Sequence, residues 1–505
     1  DQALPGLFSE LKQLDILGLK ETKLKAAEDA FIHLANLKEL HFVKIEIPDE
    51  CSNIFAPLKS LERLVIGWTT TLNYDAFRQV NNNLRHLCLS TFSTLKIDKN
   101  FFDKHPNLES LDLWYYDSKK FDPNNSDMYS IDLTALANLN KSLKSLDSSN
   151  NFLKFEPDCE IFRLENLEKL DLNQEHSYFA DSRKHTLILN EKTFERMKNL
   201  KDLNLSFNEI ELKGNCFKHL TKLRELDLTM TILKSDKKDY DIFSSLKNLE
   251  RLDFPGSEIE ACESFKMYRL SELVNLTQLQ LRLIEHDLEQ FVEMLRKEWR
   301  QRGEADPDPT YDDLCYFILR DMTKLTHLDL GSCDLTYINK RVFSQMKDLE
   351  SLQLDSNQIR YIPDDAFDCL TNLEYKDLDE NPYLRPIKLS RLFHKCDKLK
   401  RICLSDEPVV DLMDERFNFK SIENISTKYC KNLEKFYHSR RALLKPTHTH
   451  LKQSVSLTTL NSEMINIQLM FQRISIKSNQ IKSKKKKSFE QLKSCPDQII
   501  NVEPI

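Results

Sequence analysis

Few side chains in this 505-residue chain are grouped as catalysis or metal binding would require. The densest carboxylate group is the four aspartates within residues 306–313, but the glycine and final glutamate of an EF-hand loop are missing there. His448 and His450 are too sparse to form a metal site, and the zinc motif HExxH is absent. The sequence therefore predicts no metal ligands.

Glycine and cysteine usage excludes most enzyme families that bind phosphate or use a nucleophile. Only seven glycines occur and they are widely separated, so the motifs GxGxxG, GxxxxGK[ST] and GxSxG are all absent. The twelve cysteines are scattered and none forms a CxxC pair. We expect no enzyme, no catalytic residues, no cofactor-binding residues and no cofactor.

Charge and hydropathy limit the partners. Lys and Arg number 73 against 80 Asp and Glu, a net charge of −7, which argues against a nucleic-acid ligand because such proteins carry a strongly basic domain. No apolar run is long enough to span a bilayer, so no membrane span is expected within these residues. The chain opens at Asp1 without a signal-like segment, so we expect a removed leader or an internal fragment.

An internal sequence repeat predicts the strands that would position the functional side chains. The string LxxLxL recurs along the chain, with weaker copies starting at Leu11, Leu143, Leu373 and Leu399. The clear copies start at Leu37, Leu61, Leu84, Leu108, Leu167, Leu200, Leu223, Leu249, Leu276, Leu325 and Leu349. Since side chains alternate along a strand, the leucines of LxL point inward and the residue between them points outward.

Two further positions keep the same period. A polar residue eight positions after the first leucine is predicted to bond backbone groups between coils; Asn151, Asn208, Asn357, Asn381, Thr231, Ser257 and Cys333 occupy it. A phenylalanine six positions before the first leucine predicts a buried aromatic spine: Phe31, Phe55, Phe102, Phe194, Phe217, Phe243, Phe343, Phe367 and Phe393. A coil cannot bury its own apolar face, so neighbouring coils must stack.

Residues 349–383, LESLQLDSNQIRYIPDDAFDCLTNLEYKDLDENPY, resemble the "typical" leucine-rich repeat of about 24 residues. That subclass is similar to the extracellular arrays of Toll and Toll-like receptors, Slit-type proteins and related adhesion proteins. The resemblance covers residues 8–410 and implies an α/β repeat fold: a curved solenoid (horseshoe) of about 15–16 coils with short parallel strands on its concave face. Cysteine-clustered caps and a Toll-type signalling domain are not visible, so a fragment, a divergent member and an intracellular relative remain open.

Repeat spacing also predicts the domain organisation. The array covers residues 1–410, interrupted by insertions at about 116–140, 176–192 and 285–322, the last of them helical. Residues 411–441 are expected to form a degenerate last coil or cap, with Leu433 and Phe436 in its buried positions. Residues 442–505 are expected to be a poorly ordered, lysine-rich tail, with Lys482 and Lys484–Lys487 clustered.

The outward position of LxL is aspartate in eight coils, which predicts an acidic column along the concave sheet: Asp15, Asp112, Asp147, Asp171, Asp227, Asp253, Asp329 and Asp377. Such a column would attract a basic patch on a partner, although LDL is also ordinary usage in these repeats. Aromatic residues just after the strands form a second candidate binding patch, since exposed Trp and Tyr dominate interfaces; they are Trp68, Trp114, Tyr115, Tyr116 and Phe207. Local packing is the alternative.

Five N-x-[S/T] sequences are candidate glycosylation sites: Asn124, Asn140, Asn204, Asn275 and Asn424. Asn124 and Asn140 are expected in the first insertion, whereas a glycan on Asn204 would block the concave face.

These patterns favour a non-enzymatic recognition module, which is the extracellular or cell-surface ectodomain of a Toll-like or adhesion-type receptor, or a secreted relative. It would bind a protein or microbial ligand by its concave face, flank or insertions. The resemblance also implies homodimerisation and roles in signalling and innate immunity. The alternative is a cytoplasmic scaffold or adaptor, which the lysine-rich tail and the missing caps favour.

Overall fold

The structure of the chain is a computed structural model, which describes residues 8–20, 29–43, 47, 51–67, 74–90, 96–113, 130–150, 159–175, 186–235, 242–254, 258–259, 270, 272–281, 300, 315–316, 318–338, 340–403 and 424–426. The chain divides into two compact units, Asp1–Leu444 and Lys445–Ile505, and every described residue belongs to the first. The predicted lysine-rich tail, the helical part of the third insertion, and Leu433 with Phe436 lie outside the described residues.

Sixteen parallel strands, one from each coil, form the main sheet, and they pair in chain order. The first eight are β1 (Ile16–Lys20), β2 (Glu39–Val43), β3 (Arg63–Gly67), β4 (His86–Ser90), β6 (Ser110–Asp112), β8 (Ser145–Asp147), β9 (Lys169–Asp171) and β11 (Asp202–Asn204). The others are β13 (Glu225–Asp227), β15 (Arg251–Phe254), β17 (Gln278–Leu281), β18 (His327–Asp329), β19 (Ser351–Gln353), β20 (Tyr375–Asp377), β21 (Arg401–Cys403) and β22 (Asn424–Ser426). The leucine-rich repeat solenoid predicted from the sequence is confirmed.

The remaining elements are short and lie in the return path of the coils. β10 (Thr186–Asn190), β12 (Glu209–Lys213), β14 (Ile232–Ser235) and β16 (Glu258–Ile259) form a second parallel sheet, and β5 (Lys96–Ile97) pairs with β7 (Ser130–Ile131). The described helices are α1 (Tyr74–Phe77), α2 (Leu389–Leu392) and the 3₁₀ helices Leu133–Leu139 and Glu160–Arg163. Each described coil is therefore mostly turn and strand.

The core contains the side chains that the repeat assigns to it. All nine spine phenylalanines are buried, and neighbouring rings stack, as Phe31 and Phe55 do with centroids 6.5 Å apart. Asn357 is 3% exposed and donates through Nδ2 to the backbone oxygens of Leu330 and Leu354, each at 2.9 Å. Its Oδ1 accepts from the backbone nitrogens of Cys333 and Leu335. The predicted polar ladder is confirmed at this coil.

The first coil has a different phase from the one predicted. Leu17 pairs with Leu40 and Gly18 with His41, so the repeat begins at Leu14 instead of Leu11. Leu11 and Ile16, predicted to be buried, are 44% and 58% exposed. Phe8, six residues before Leu14, is buried and stacks on Phe31 at 6.2 Å, which completes the spine pattern.

All three insertions end earlier than predicted. Ser130 and Ile131 already pair with β5, and Thr186–Asn190 already pairs with β12. In the third, Leu319 and Met322 occupy the buried positions six and three residues before Leu325. The extra residues of the first two insertions therefore lie within 114–129 and 176–185, because the return path of a coil keeps its own packing pattern and the excess precedes it.

Lys376 occupies a core position where neighbouring coils have Leu352 and Ile402, an exception that the sequence analysis did not identify. The side chain is fully buried. Its Nζ donates to the backbone oxygen of Asp377 at 2.8 Å and lies 5.4 Å from the ring centroid of Phe367. An ammonium group in this position carries a desolvation cost that an apolar side chain would avoid.

We expect Asn357→Ala to lower the free energy of unfolding by about 2–4 kcal/mol, because it leaves buried backbone groups of two coils without partners. Chemical denaturation followed by circular dichroism measures the change. Gln358→Ala is the matched control, since the Gln358 side chain has an exposed hydrogen bond to Asp334. Equal losses in the two variants would contradict a special role for the buried ladder.

We expect Lys376→Leu to stabilise the protein by about 1–3 kcal/mol by removing the buried ammonium group. The exposed Lys398 provides the control, because Lys398→Leu changes surface charge equally without changing the core. The midpoint of thermal unfolding should rise for the first variant only. A fall for Lys376→Leu would show that the contacts of Nζ outweigh its desolvation.

Candidate functional site

The candidate site is the outward face of the main sheet, where the strand register stacks the acidic residues. Asp112 pairs with Asp147 and Asp147 with Asp171 on three successive strands. Asn204 separates Asp171 from Asp227, which pairs in turn with Asp253. Asp112, Asp147, Asp171, Asp227 and Asp253 thus lie in one column, called here the acidic column. It continues past Gln280 to Asp329 and past Gln353 to Asp377.

Asp15 does not belong to this column, although the sequence analysis placed it there. In the observed register Gly18 occupies the outward position of the first strand, opposite His41. Asp15 precedes the strand, and its backbone oxygen accepts from the nitrogens of Lys38 and Glu39. The error follows from the phase of the first coil.

Five aspartates of the column are held by the turn that follows their strand. The Oδ1 atoms of Asp147, Asp171 and Asp227 accept from the backbone nitrogen two residues later, at 2.8–2.9 Å. Asp329 and Asp377 make the same bond. The turn needs a short side chain that accepts this hydrogen bond, and aspartate provides one, which explains why LDL is common in the repeat. The second carboxylate oxygen remains for contacts across the face.

The acids of the column outnumber the cations. Across β6 to β20 the outward strand positions include Lys169 and Arg251 as their cations. The carboxylates at these positions are Asp112, Asp147, Asp171, Asp202, Glu225, Asp227, Asp253, Asp329 and Asp377. Lys169 pairs with Asp202 at 2.5 Å and Arg251 with Asp253 at 2.7 Å, so in the described part of the chain the other seven carboxylates have no ion pair.

Burial and neighbouring carboxylates raise the pKa values of aspartates in this column. Partial burial, followed by the neighbouring charge of Asp147, raises the pKa of Asp112 to about 6. Burial likewise raises the pKa of Asp171 to about 6, although hydrogen bonds from Asn173 and Asn204 oppose the shift. Burial also raises the pKa of Asp253, although the hydrogen bond and the positive charge of Arg251 oppose the shift. The centre of the face therefore gains protons as the pH approaches 6.

The predicted aromatic patch is not brought together in the described residues. Trp68, Trp114, Tyr115 and Tyr116 lie outside them. Phe207 is half-buried and has a left-handed backbone, with φ of 59°. Equivalent residues of other coils share this conformation, including Met230, Ser332 and Ser356. Phe207 thus occupies a repeated turn position and is partly exposed, and its role in binding stays a prediction.

A different aromatic cluster was missed. Tyr337 and Tyr361 are exposed, form a parallel bridge, and stack with ring centroids 6.1 Å apart. The guanidinium carbon of Arg360, which precedes Tyr361, lies 5.9 Å from the centroid of the Tyr383 ring in the following coil. Tyr337 and Tyr361 are 24 residues apart in the sequence, so alignment of the coils would have revealed the pair. The cluster lies outside the main sheet.

Among the described residues, no group of three or more His, Cys, Asp or Glu side chains could hold a metal ion. None of the helices searched in this part of the chain has the length and apolarity needed to cross a membrane. The predicted candidate glycosylation sites are dispersed. Asn140 follows a 3₁₀ helix, Asn204 lies in the acidic column, Asn275 precedes β17, and Asn424 lies in β22. Asn124 lies outside the described residues.

Comparison with known proteins agrees with this fold. The model of a family described as leucine rich repeat matches residues 183–231 and 323–382. A second, described as BspA type leucine rich repeat region, matches residues 5–109. The chain is a leucine-rich repeat protein. Neither family model describes an enzyme.

Similar proteins include receptors. Toll-like receptor 4 of Sus scrofa is 22% identical over 286 residues, which are 52% of this chain and 33% of that protein. Osteomodulin of Mus musculus is 39% identical over 62 residues, or 12% of this chain and 15% of osteomodulin. The glycosylated Toll–Spatzle complex of Drosophila shares the fold, with a TM-score of 0.51 and 18% identity over 83% of this chain and 54% of that chain. The leucine-rich repeat chain thus spans about a third of the receptor and about half of the matched structure.

We expect Asp112→Asn to stabilise the protein at pH 7–8 by about 1 kcal/mol, after allowance for solvent screening. The reason is that the folded-state pKa, about 6, lies above the ordinary value of 3.8. Charging Asp112 therefore opposes folding above pH 6, and this cost decreases as the pH falls towards 4.

Denaturation midpoints of wild type and variant between pH 4 and 8 measure this effect. Asp15→Asn, at an exposed site outside the column, is the control for the removal of one carboxylate. A gain for Asp112→Asn that is equal at pH 4 and pH 8 would show that packing, not charge, is responsible.

Proposed function

We propose that this leucine-rich repeat chain is the recognition module of a Toll-like or adhesion-type receptor, or of a secreted relative, and acts at the cell surface or outside the cell. Its acidic column binds a protein or microbial ligand through a basic surface. The observation that carries the proposal is the imbalance of nine outward carboxylates against two cations across β6 to β20.

Charge at this face exceeds what the fold requires. In five of these turns one carboxylate oxygen accepts from a backbone nitrogen, and an asparagine can do the same, as Asn204 does for Ser206 at 3.0 Å. Runs such as Asp112, Asp147 and Asp171 instead concentrate negative charge on adjacent strands. Like charges on strands about 4.8 Å apart repel one another, which lowers the stability of the fold. A cationic partner would relieve this repulsion, so the same charges add to its affinity.

The relatives support a macromolecular ligand. Toll is known in complex with Spatzle, and by analogy we propose a protein ligand here. The sign of the column disfavours a nucleic acid, because phosphates would meet a carboxylate surface. Binding here is expected to be steered electrostatically and to weaken with ionic strength.

A Lys-rich peptide of about 20 residues is a suitable probe for the column. We expect the triple variant Asp112→Asn, Asp147→Asn, Asp171→Asn to lower its association rate constant about tenfold at low salt. The matched control is Asp321→Asn, Asp348→Asn, Asp397→Asn, which changes the net charge equally at exposed positions outside the main sheet. Biolayer interferometry at several salt concentrations gives both rate constants.

This pair of variants distinguishes the effect of charge in the acidic column from the effect of the net charge of the protein. A loss confined to the column variant supports the proposed ligand surface. Equal losses would mean that the peptide responds only to net charge, and an unchanged column variant would place the binding surface elsewhere.

A further inference from the structure

Three of the candidate glycosylation sequences have their asparagine side chains described, and they differ in what their amide nitrogens contact. An N-linked glycan replaces one hydrogen of Nδ2, so an occupied site must leave that nitrogen accessible and leave space beyond it. Both amide atoms of Asn204 and Asn275 make hydrogen bonds within the fold, whereas in Asn140 only the amide oxygen does so within the described part of the chain.

Asn204 is enclosed by the acidic column. Its Nδ2 donates to Oδ2 of Asp171 at 3.0 Å. Its Oδ1 accepts from the backbone nitrogen of Ser206 at 3.0 Å and from the Ser206 hydroxyl at 2.6 Å. The residue is half-buried between Asp171 and Asp227 of the neighbouring strands. A sugar on Nδ2 would therefore have to fit between the side chains of the two neighbouring strands.

Asn275 belongs to a second asparagine ladder, which runs along the N-terminal ends of the main-sheet strands. Its members precede the first leucine of their coils, and each donates from Nδ2 to a backbone oxygen of the preceding coil. They are Asn36, Asn83, Asn107, Asn166, Asn199, Asn248, Asn275 and Asn372. For Asn275 the acceptor is Lys247 at 2.7 Å, and its Oδ1 accepts from Nζ of Lys324 at 2.7 Å.

Asn140 differs from both. It follows the 3₁₀ helix Leu133–Leu139, and its Oδ1 accepts from the backbone nitrogen of Glu165 at 2.8 Å. Because that atom faces an N–H donor it must be the oxygen, which fixes Nδ2 on the opposite side. In the part of the chain that the structure describes, this Nδ2 makes no hydrogen bond, and it is not among the buried side-chain atoms without partners. It therefore reaches solvent.

We propose that Asn140 is an N-glycosylation site and that Asn204 and Asn275 are not occupied in the folded protein. In the transfer step, Nδ2 of Asn140 bonds to the anomeric carbon of an oligosaccharide carried on a lipid diphosphate. The lipid diphosphate leaves with the electron pair of the broken C–O bond, and one amide proton passes to a base of the transferase. The natural occurrence of this step depends on the proposed extracellular location.

The position of this glycan is compatible with the proposed ligand surface. Asn140 precedes β8, so it lies on the flank formed by the N-terminal ends of the main-sheet strands. A sugar at Asn140 thus leaves the acidic column accessible to a partner.

The test is site occupancy in the full chain, expressed in eukaryotic cells behind an added secretion signal. N-glycosidase treatment in ¹⁸O-water marks each formerly occupied asparagine, and peptide mass spectrometry gives its fractional occupancy. We expect most molecules to be occupied at Asn140 and fewer than about one in ten at Asn204 or Asn275. Asn140→Gln and Ser142→Ala should each remove one glycan, whereas Ser142→Thr should retain it.

An unoccupied Asn140 in both the secreted and the retained fractions would overturn the proposal, as would high occupancy of Asn204 or Asn275 in folded protein. The added signal forces entry into the secretory pathway, so this result does not depend on the natural location. The Lys-rich peptide assay on glycosidase-treated protein tests the proposed ligand surface separately.

Discussion

Each coil of this solenoid is held to the next by bonds that fix its register, and the other features follow from that register. The backbone bonds of the parallel strands are supplemented by buried asparagines such as Asn357 and Asn381, which bond the backbone of the preceding coil. The asparagine ladder at the N-terminal strand ends adds side-chain bonds on the opposite side of the strands. Because leucine must meet leucine in the core, every outward residue must align with the outward residue of its neighbour.

The acidic column is therefore a consequence of packing as well as of composition. Aspartate accepts a backbone hydrogen bond in the strand-ending turn of several coils, and the register then stacks such residues on adjacent strands, as it does Asp147 and Asp171. Burial first, and then the charge of Asp147, raises the pKa values of Asp112 and Asp171. A surface of partly buried, closely spaced carboxylates with few cations beside them is suited to a partner that brings positive charge.

Much of this arrangement could be predicted from the sequence, because the packing rules of the repeat act over a few residues. LxL, the spine phenylalanines and the buried asparagines each have a fixed offset within one coil, and the structure confirms those in the described residues. The first coil was misplaced because Leu11 and Leu14 both fit the pattern, and only the pairing of Leu17 with Leu40 decides between them. The insertion ends and the burial of Lys376 depend on contacts between coils, which no local offset encodes.

The strand register is tested most directly by the formation of a disulfide between two neighbouring strands. Val65 pairs with Cys88, whose thiol is native, and outward residues of neighbouring strands are close enough for a disulfide. Under mild oxidation, Val65→Cys should form a bond to Cys88 that peptide mass spectrometry identifies, whereas Arg63→Cys, which faces His86, should not. Efficient linkage of Cys88 to position 63, or none to position 65 in folded protein, would contradict the register and the acidic column built on it.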